Sequence, residues 1–158
     1  MKPKENAKAP EFTLANQDGS QIGLADFRKK WVLVYFYPKD DTPGCTREAK
    51  GMQEYFHKFN KLNFNVLGIS PDSVQSHRKF ADKYKLQFDL LADQEKKVAK
   101  LYGVWEKKNF MGREYMGVQR RSFLIDPEGR VAKIYPKVQP DKHPQEVYED
   151  VQRLMAGG

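Results

Sequence analysis

Hydrophobic and polar residues follow two periods along this chain, and the switches between them mark its elements. Trp31-Val32-Leu33-Val34-Tyr35-Phe36 is an unbroken apolar run, which predicts a buried strand. Pro38 stops it, and Asp40-Asp41-Thr42-Pro43-Gly44 supplies turn residues. Met52, Tyr55, Phe56 and Phe59 then recur at i, i+3, i+4 and i+7, predicting a helix over about 43–60. Residues 63–69 read as a second central strand, closed by Ser70-Pro71-Asp72, with Asp72 the expected cap of the next helix. Val74, His77, Phe80, Ala81 and Tyr84 mark that helix by their spacing. Phe88, Leu90 and Leu91 predict a short strand, and Asp93 caps a helix carrying Val98, Leu101 and Tyr102.

The flanks carry turn chemistry. Phe12-Thr13-Leu14 and Gln21-Ile22-Gly23-Leu24 surround Asn16-Gln17-Asp18-Gly19, a hairpin signal. Residues 122–126 and 131–135 surround Pro127-Glu128-Gly129-Arg130, a second one. Residues 106–117, rich in Lys, Met, Gly and aromatics, read as an inserted loop or extra hairpin. Among them, Phe110, Met111, Tyr115 and Met116 either rim a pocket for organic peroxides or cover the core. Val147, Val151 and Leu154 give one face of a C-terminal helix, and residues 1–8 are expected to be a loose tail. Strands alternating with helices, followed by a late hairpin and helix, predict a three-layer α/β fold in one domain spanning residues 1–158. In open α/β sheets, sites gather beyond the carboxyl ends of the strands. Cys45, the only cysteine, lies just past such an end.

Composition narrows the function classes. At 158 residues the chain can bury about 70% of the surface that its unfolded form exposes, without disulfides. The net charge is +7, from 28 basic and 21 acidic side chains, yet the longest basic run is only Arg28-Lys29-Lys30. No nucleic-acid partner is expected from such scattered charge. No apolar run approaches the roughly 20 residues of a membrane helix. The first residues, Met1-Lys2-Pro3-Lys4-Glu5-Asn6, lack an apolar signal core, so a reducing cytoplasm is expected. His57, His77 and His143 lack metal-ligand spacing and are expected to be surface or internally satisfied residues rather than a metal site.

Cys45 has a suggestive setting. It stands at a helix N-terminus, where unpaired amides and the helix dipole favour a thiolate, the reactive form. Thr42, three residues earlier, can cap the helix or hydrogen-bond the sulfur, and Pro43 suits the first helical position. Pro38 can shield the sulfur side of the loop from water. Glu48, on the same helix face as Cys45, opposes thiolate formation unless a cation is nearby. Arg47, Lys50, Arg120 and Arg121 are candidates. Because side chains alternate along a strand, only one of Arg120 and Arg121 can face the site, and spacing alone does not choose between them.

The stretch from Phe36 to Ala49 resembles the active-site signature of the peroxiredoxins, closest to the peroxiredoxin Q branch, also called bacterioferritin comigratory proteins. Pro38, Thr42 and Cys45 match the family's Pro-x-x-x-Thr-x-x-Cys motif, and residues 117–126 resemble the segment bearing its catalytic arginine, which falls on Arg120. The likeness runs from about Ala9 to the last helix. It implies a thioredoxin-like fold with a central mixed sheet, no cofactor and reduction of hydroperoxides. Cys45 would be the nucleophile, Thr42 and Arg120 would hold the peroxide, and Glu48 would orient Arg120. Many relatives carry a second cysteine five residues after the first or in the following helix. Here Lys50 holds the first place and residues 72–86 contain no cysteine. An external thiol (thioredoxin, glutaredoxin or a low-molecular-weight thiol) must then reduce the oxidised sulfur. The resemblance also implies a monomer. A redox sensor or binding protein, switched by Cys45 oxidation without fast turnover, is the alternative from another class.

Overall fold

β3 (Trp31–Phe36) is the predicted apolar run, and everything around the lone cysteine is hung on it. In the computed structural model, which describes residues 2–157, β3 pairs in parallel with β4 (Phe64–Ser70) and antiparallel with β8 (Ser122–Ile125). Beyond β4 lies β5 (Asp89–Ala92), also parallel. The N-terminal hairpin of β1 (Thr13–Ala15) and β2 (Gln21–Gly23) adds to it, while β9 (Val131–Tyr135) continues the other side from β8. The result is one mixed seven-stranded sheet in the order β2-β1-β5-β4-β3-β8-β9.

Alternation along β3 divides the core. Leu33 and Tyr35, with Tyr37 just beyond the strand, face Cys45, Ala49 and Met52 of α1 (Pro43–Glu54), Phe59 of α2 (Phe56–Lys61) and Phe80 of α3 (Val74–Tyr84). Val147 and Val151 of α5 (His143–Gly157) complete that layer. Val32, Val34 and Phe36 face Val98 and Ala99 of α4 (Lys97–Leu101) on the opposite side. Helices therefore cover both faces, as the pattern predicts. Strand residues buried on both faces need the continuous apolar run seen at 31–36.

Three local expectations change. The helix expected over 43–60 breaks at Tyr55 into α1 and α2. Tyr55 sits there with its ring 5.4 Å from that of Tyr148 on α5, so packing against a distant helix accompanies the break. Asp72 does not cap α3: Ser73 does, accepting from the Ser76 amide, because Asp72 is committed to Ser70 and Asp40. The N-terminal segment expected to be loose is tied to the sheet. The Asn6 amide donates to the Val131 carbonyl of β9, the Val131 amide donates to the Ala7 carbonyl, and Glu5 accepts from the Ile134 amide. Met1, expected in the same tail, and Gly158 lie outside the described residues. Residues 105–118 form the extra hairpin, β6 (Trp105–Phe110) with β7 (Arg113–Val118), as a separate two-stranded sheet. Phe110, Met111, Tyr115 and Met116 are exposed on it and do not cover the core. Among the described residues no helix is long and apolar enough to cross a membrane.

Candidate active site

Tyr37 leaves β3 as a buried residue, and the chain then turns through Pro38, Lys39, Asp40 and Asp41 before α1 begins. Asp41 takes a left-handed backbone conformation, φ 57°, which Asp tolerates better than most residues. Thr42 is the N-cap, Pro43 occupies the first turn, and the first helical bond runs from the Thr46 amide to the Thr42 carbonyl at 2.8 Å. The Thr42 hydroxyl does neither task expected of it. It donates to the Lys39 carbonyl at 3.0 Å, closing the loop on itself, and makes no cap bond. Pro38 is half-buried at the start of that loop.

Cys45 is 1% exposed, in the first turn of α1 against the layer formed by Tyr35, Tyr37 and Ala49. Arg120 comes from the connection between β7 and β8. Its guanidinium divides: Nη2 donates to Cys45 Sγ at 3.4 Å and Nη1 to Glu48 Oε1 at 3.1 Å. Arg121 turns away, to the Gly103 carbonyl, Pro136 carbonyl and Glu106. Geometry therefore makes the choice between the two arginines that spacing leaves open. Gly44 makes room for this arrangement, since a Cβ there would lie 3.1 Å from Arg120 Nη2.

Glu48 is fully buried, and burial pushes its carboxyl up to about 7 despite the opposing pull of Arg120. Among the described residues, neither its second oxygen, Oε2, nor the buried hydroxyl of Tyr35 has a hydrogen-bond partner. Cys45 and Glu48 together hold Arg120 firmly protonated, even though burial opposes its charge. Lys108, on the extra hairpin, is a second cation near the site. Burial first, then the Arg120 charge, lowers its ammonium, while Cys45 favours it, and its Nζ donates to the Val118 carbonyl at 3.1 Å. No sequence signal marks Lys108, because its approach depends on how the hairpin folds back.

Sequence reasoning also passes over a polar cluster behind the loop. Asp40, Asp72 and His77 bring three metal-ligand atoms within 4.8 Å of one another. These atoms are already engaged by protein groups: Asp72 Oδ2 by the Asp40 amide and Ser70 hydroxyl, His77 Nδ1 by Asp40. His77 is thus internally satisfied, as expected of the histidines. His143, buried, meets Ser122 and Glu146, and burial lowers its imidazole. His57 is exposed. The cluster's one advance sign is weak: Asp40 and Asp41 are paired acids in a loop whose neighbour helix carries His77.

A thiol beside a guanidinium, in the first turn of a helix and out of bulk water, can meet a small polar molecule in fixed orientation. Known proteins share the framework. The AhpC/TSA family profile matches residues 6–134. A putative peroxiredoxin Bcp of Coxiella burnetii is 48% identical over 140 residues, covering 89% of this chain and 93% of its own. Peroxiredoxin Bcp of Bacillus subtilis is 42% identical over 147 residues, covering 93% and 94%. Among solved structures, a variant of Xylella fastidiosa PrxQ superposes with a TM-score of 0.93 at 28% identity, covering 98% of this chain and 99% of that one. Xanthomonas campestris bacterioferritin comigratory protein, described for its alkyl peroxide reduction activity, superposes at 0.88 with 31% identity, covering 95% and 98%.

Proposed function

The chain belongs to the AhpC/TSA family of peroxiredoxins, and from that premise we propose that it reduces hydrogen peroxide and organic hydroperoxides through a sulfenic acid on Cys45 that an external thiol resolves. As a peroxiredoxin it is a thiol-dependent peroxidase with a thioredoxin fold. The observation that carries the residue assignment is the divided guanidinium of Arg120, 3.4 Å from the sulfur and 3.1 Å from Glu48.

The Cys45 thiolate attacks the terminal oxygen of the hydroperoxide. An S–O bond forms as the O–O bond breaks, and the displaced oxygen takes a proton and leaves as water or an alcohol. Charge passes from sulfur to the leaving oxygen, within reach of Arg120 and the first-turn amides, which stabilise it without having to reorganise. Thr42 and Pro38 shape the loop that receives the peroxide. Glu48 positions Arg120: an ion pair on Nη1 leaves Nη2 directed at the sulfur.

Cys45 is the only cysteine, so the second half-reaction is intermolecular. A thiol attacks the sulfenic sulfur and releases water, and a further thiol cleaves the mixed disulfide. Such a cycle suits a reducing compartment such as the cytoplasm. Thioredoxin, glutaredoxin or a low-molecular-weight thiol would serve. The assembly proposed with it is a monomer.

The test is peroxide consumption with excess dithiothreitol by wild type and Cys45→Ser, beside mass analysis of wild type given one equivalent of peroxide and no thiol. The expected results are turnover by wild type alone and one added oxygen on Cys45. Equal consumption by both proteins sinks the assignment.

A further inference from the structure

We propose that His77 is a positioning residue for the peroxide reaction, acting through Asp40 to set the shape of the loop that delivers Thr42 and Cys45. This rests on the reading of Cys45 as the nucleophile. His77 is fully buried on α3, and Asp40 is 7% exposed in the loop. His77 Nε2 stands 2.9 Å from the Leu91 carbonyl. A carbonyl only accepts, so Nε2 carries a hydrogen. His77 Nδ1 is 2.7 Å from Asp40 Oδ2, a contact that needs one further proton between the two atoms. Imidazole and carboxyl are joined by that proton into a single buried unit.

Asp40 is gripped from other sides as well. Its Oδ1 accepts from the Tyr37 hydroxyl at 2.6 Å and its Oδ2 from Ser76 at 2.8 Å. Its own amide donates to Asp72 Oδ2 at 2.8 Å, and the same oxygen accepts from Ser70 at 2.6 Å. The end of β3, the end of β4 and the first turns of α3 thus converge on one loop residue. The next residue is held too: Asp41, with φ 57°, accepts from Lys83 and Tyr84 at 2.8 Å each. The path from Tyr37 to Thr42 therefore takes its shape from α3, and α1 starts where that path ends. A shift of about 1 Å in reacting groups can cost about 100-fold in rate, so the hold on this loop bears directly on the chemistry.

A histidine buried for stability alone would depend equally on both ring nitrogens. Two substitutions in the full chain separate them. In His77→Asn the amide nitrogen falls near the Nδ1 position and keeps the Asp40 link while losing Leu91. In His77→Gln it reaches toward the Nε2 position, keeping Leu91 and losing Asp40. The measurements are the single-turnover rate with hydrogen peroxide, the iodoacetamide alkylation rate of Cys45, which needs no peroxide alignment, and thermal melting. His77→Gln should lose roughly 10–100-fold in peroxide rate with alkylation within about threefold, whereas His77→Asn should stay within about threefold of wild type in both. Should His77→Gln fail to fold, Ser76→Ala, which removes one donor to Asp40, should lower the peroxide rate about 3–10-fold while leaving alkylation unchanged. Equal losses in Asn and Gln variants, or a folded His77→Gln with the wild-type peroxide rate, would overturn the proposal. The parallel wild-type and Cys45→Ser assays report separately on the nucleophile.

Discussion

Arg120 Nη1 stands 3.1 Å from Glu48 Oε1, a pairing that spans 72 residues of chain and is inaccessible to solvent on the Glu48 side. A buried ion pair must offset the desolvation of both charges, and Arg120 reaches only one carboxylate oxygen. Burial outweighs the guanidinium and holds the carboxyl near 7. The pair orients Arg120 at a cost in stability.

That cost has a sign. Glu48 is raised from its ordinary 4.5 to about 7 in the folded protein, so the native state keeps a proton that the unfolded chain releases. Its contribution is fully present below about pH 4.5 and is lost as pH rises through 7. Urea denaturation between pH 4.5 and 8 should show a fall on the order of 2–3 kcal/mol in wild type that Glu48→Gln lacks. Parallel pH profiles for the two proteins would contradict this.

Arg120 and Arg121 should behave differently despite being neighbours. Arg120→Lys replaces a planar fork with a point charge that cannot hold Glu48 and the sulfur together. Its single-turnover rate with peroxide should fall about 100-fold or more. Arg121→Lys, which faces Gly103, Pro136 and Glu106, should stay within about threefold, since it touches no reacting group.

Two glycines separate activity from stability. A Cβ on Gly44 would meet the end of the Arg120 side chain at 3.1 Å, and a flexible arm can swing aside. Gly44→Ala should melt close to wild type yet react several-fold more slowly with peroxide. A Cβ on Gly68 would lie 2.9 Å from the buried ring of Tyr35, which has nowhere to go. Gly68→Ala should lose about 1–3 kcal/mol in denaturant titration.

Lys50→Cys places a thiol five residues after Cys45, within α1. Five residues of helix rise about 7.5 Å, beyond the roughly 7 Å separation of Cα atoms that a disulfide spans. Peroxide treatment should yield the internal disulfide only together with loss of helical circular dichroism. A disulfide formed with the helical signal intact would contradict the rigid helix described here.

Most of this architecture was legible because it follows from local rules. The apolar run at 31–36, the period of Met52 and Phe59, and the turn residues around Gly19 and Gly129 each predict an element that the structure contains. Expectations failed where another partner, near or far along the chain, competed for a group. Asp72 is a sound cap by type but is claimed by Asp40 and Ser70, the Thr42 hydroxyl is claimed by the Lys39 carbonyl, and Glu5 and Asn6 find β9.

By itself, the sequence determined the alternation of strands and helices, the placement of a single thiol at a helix start beyond a buried strand, and the absence of any second cysteine to close a disulfide. Those are matters of residue type and of periodicity within a few turns of chain. Only the tertiary structure decided that one guanidinium, on the Arg120 to which the family resemblance already points, is shared between the sulfur and Glu48, that Glu48 is wholly buried, and that His77 grips the loop through Asp40. The physical reason is that these interactions act over a few ångströms between residues separated by 37 to 75 positions, a proximity that exists only once the sheet has brought its strands together.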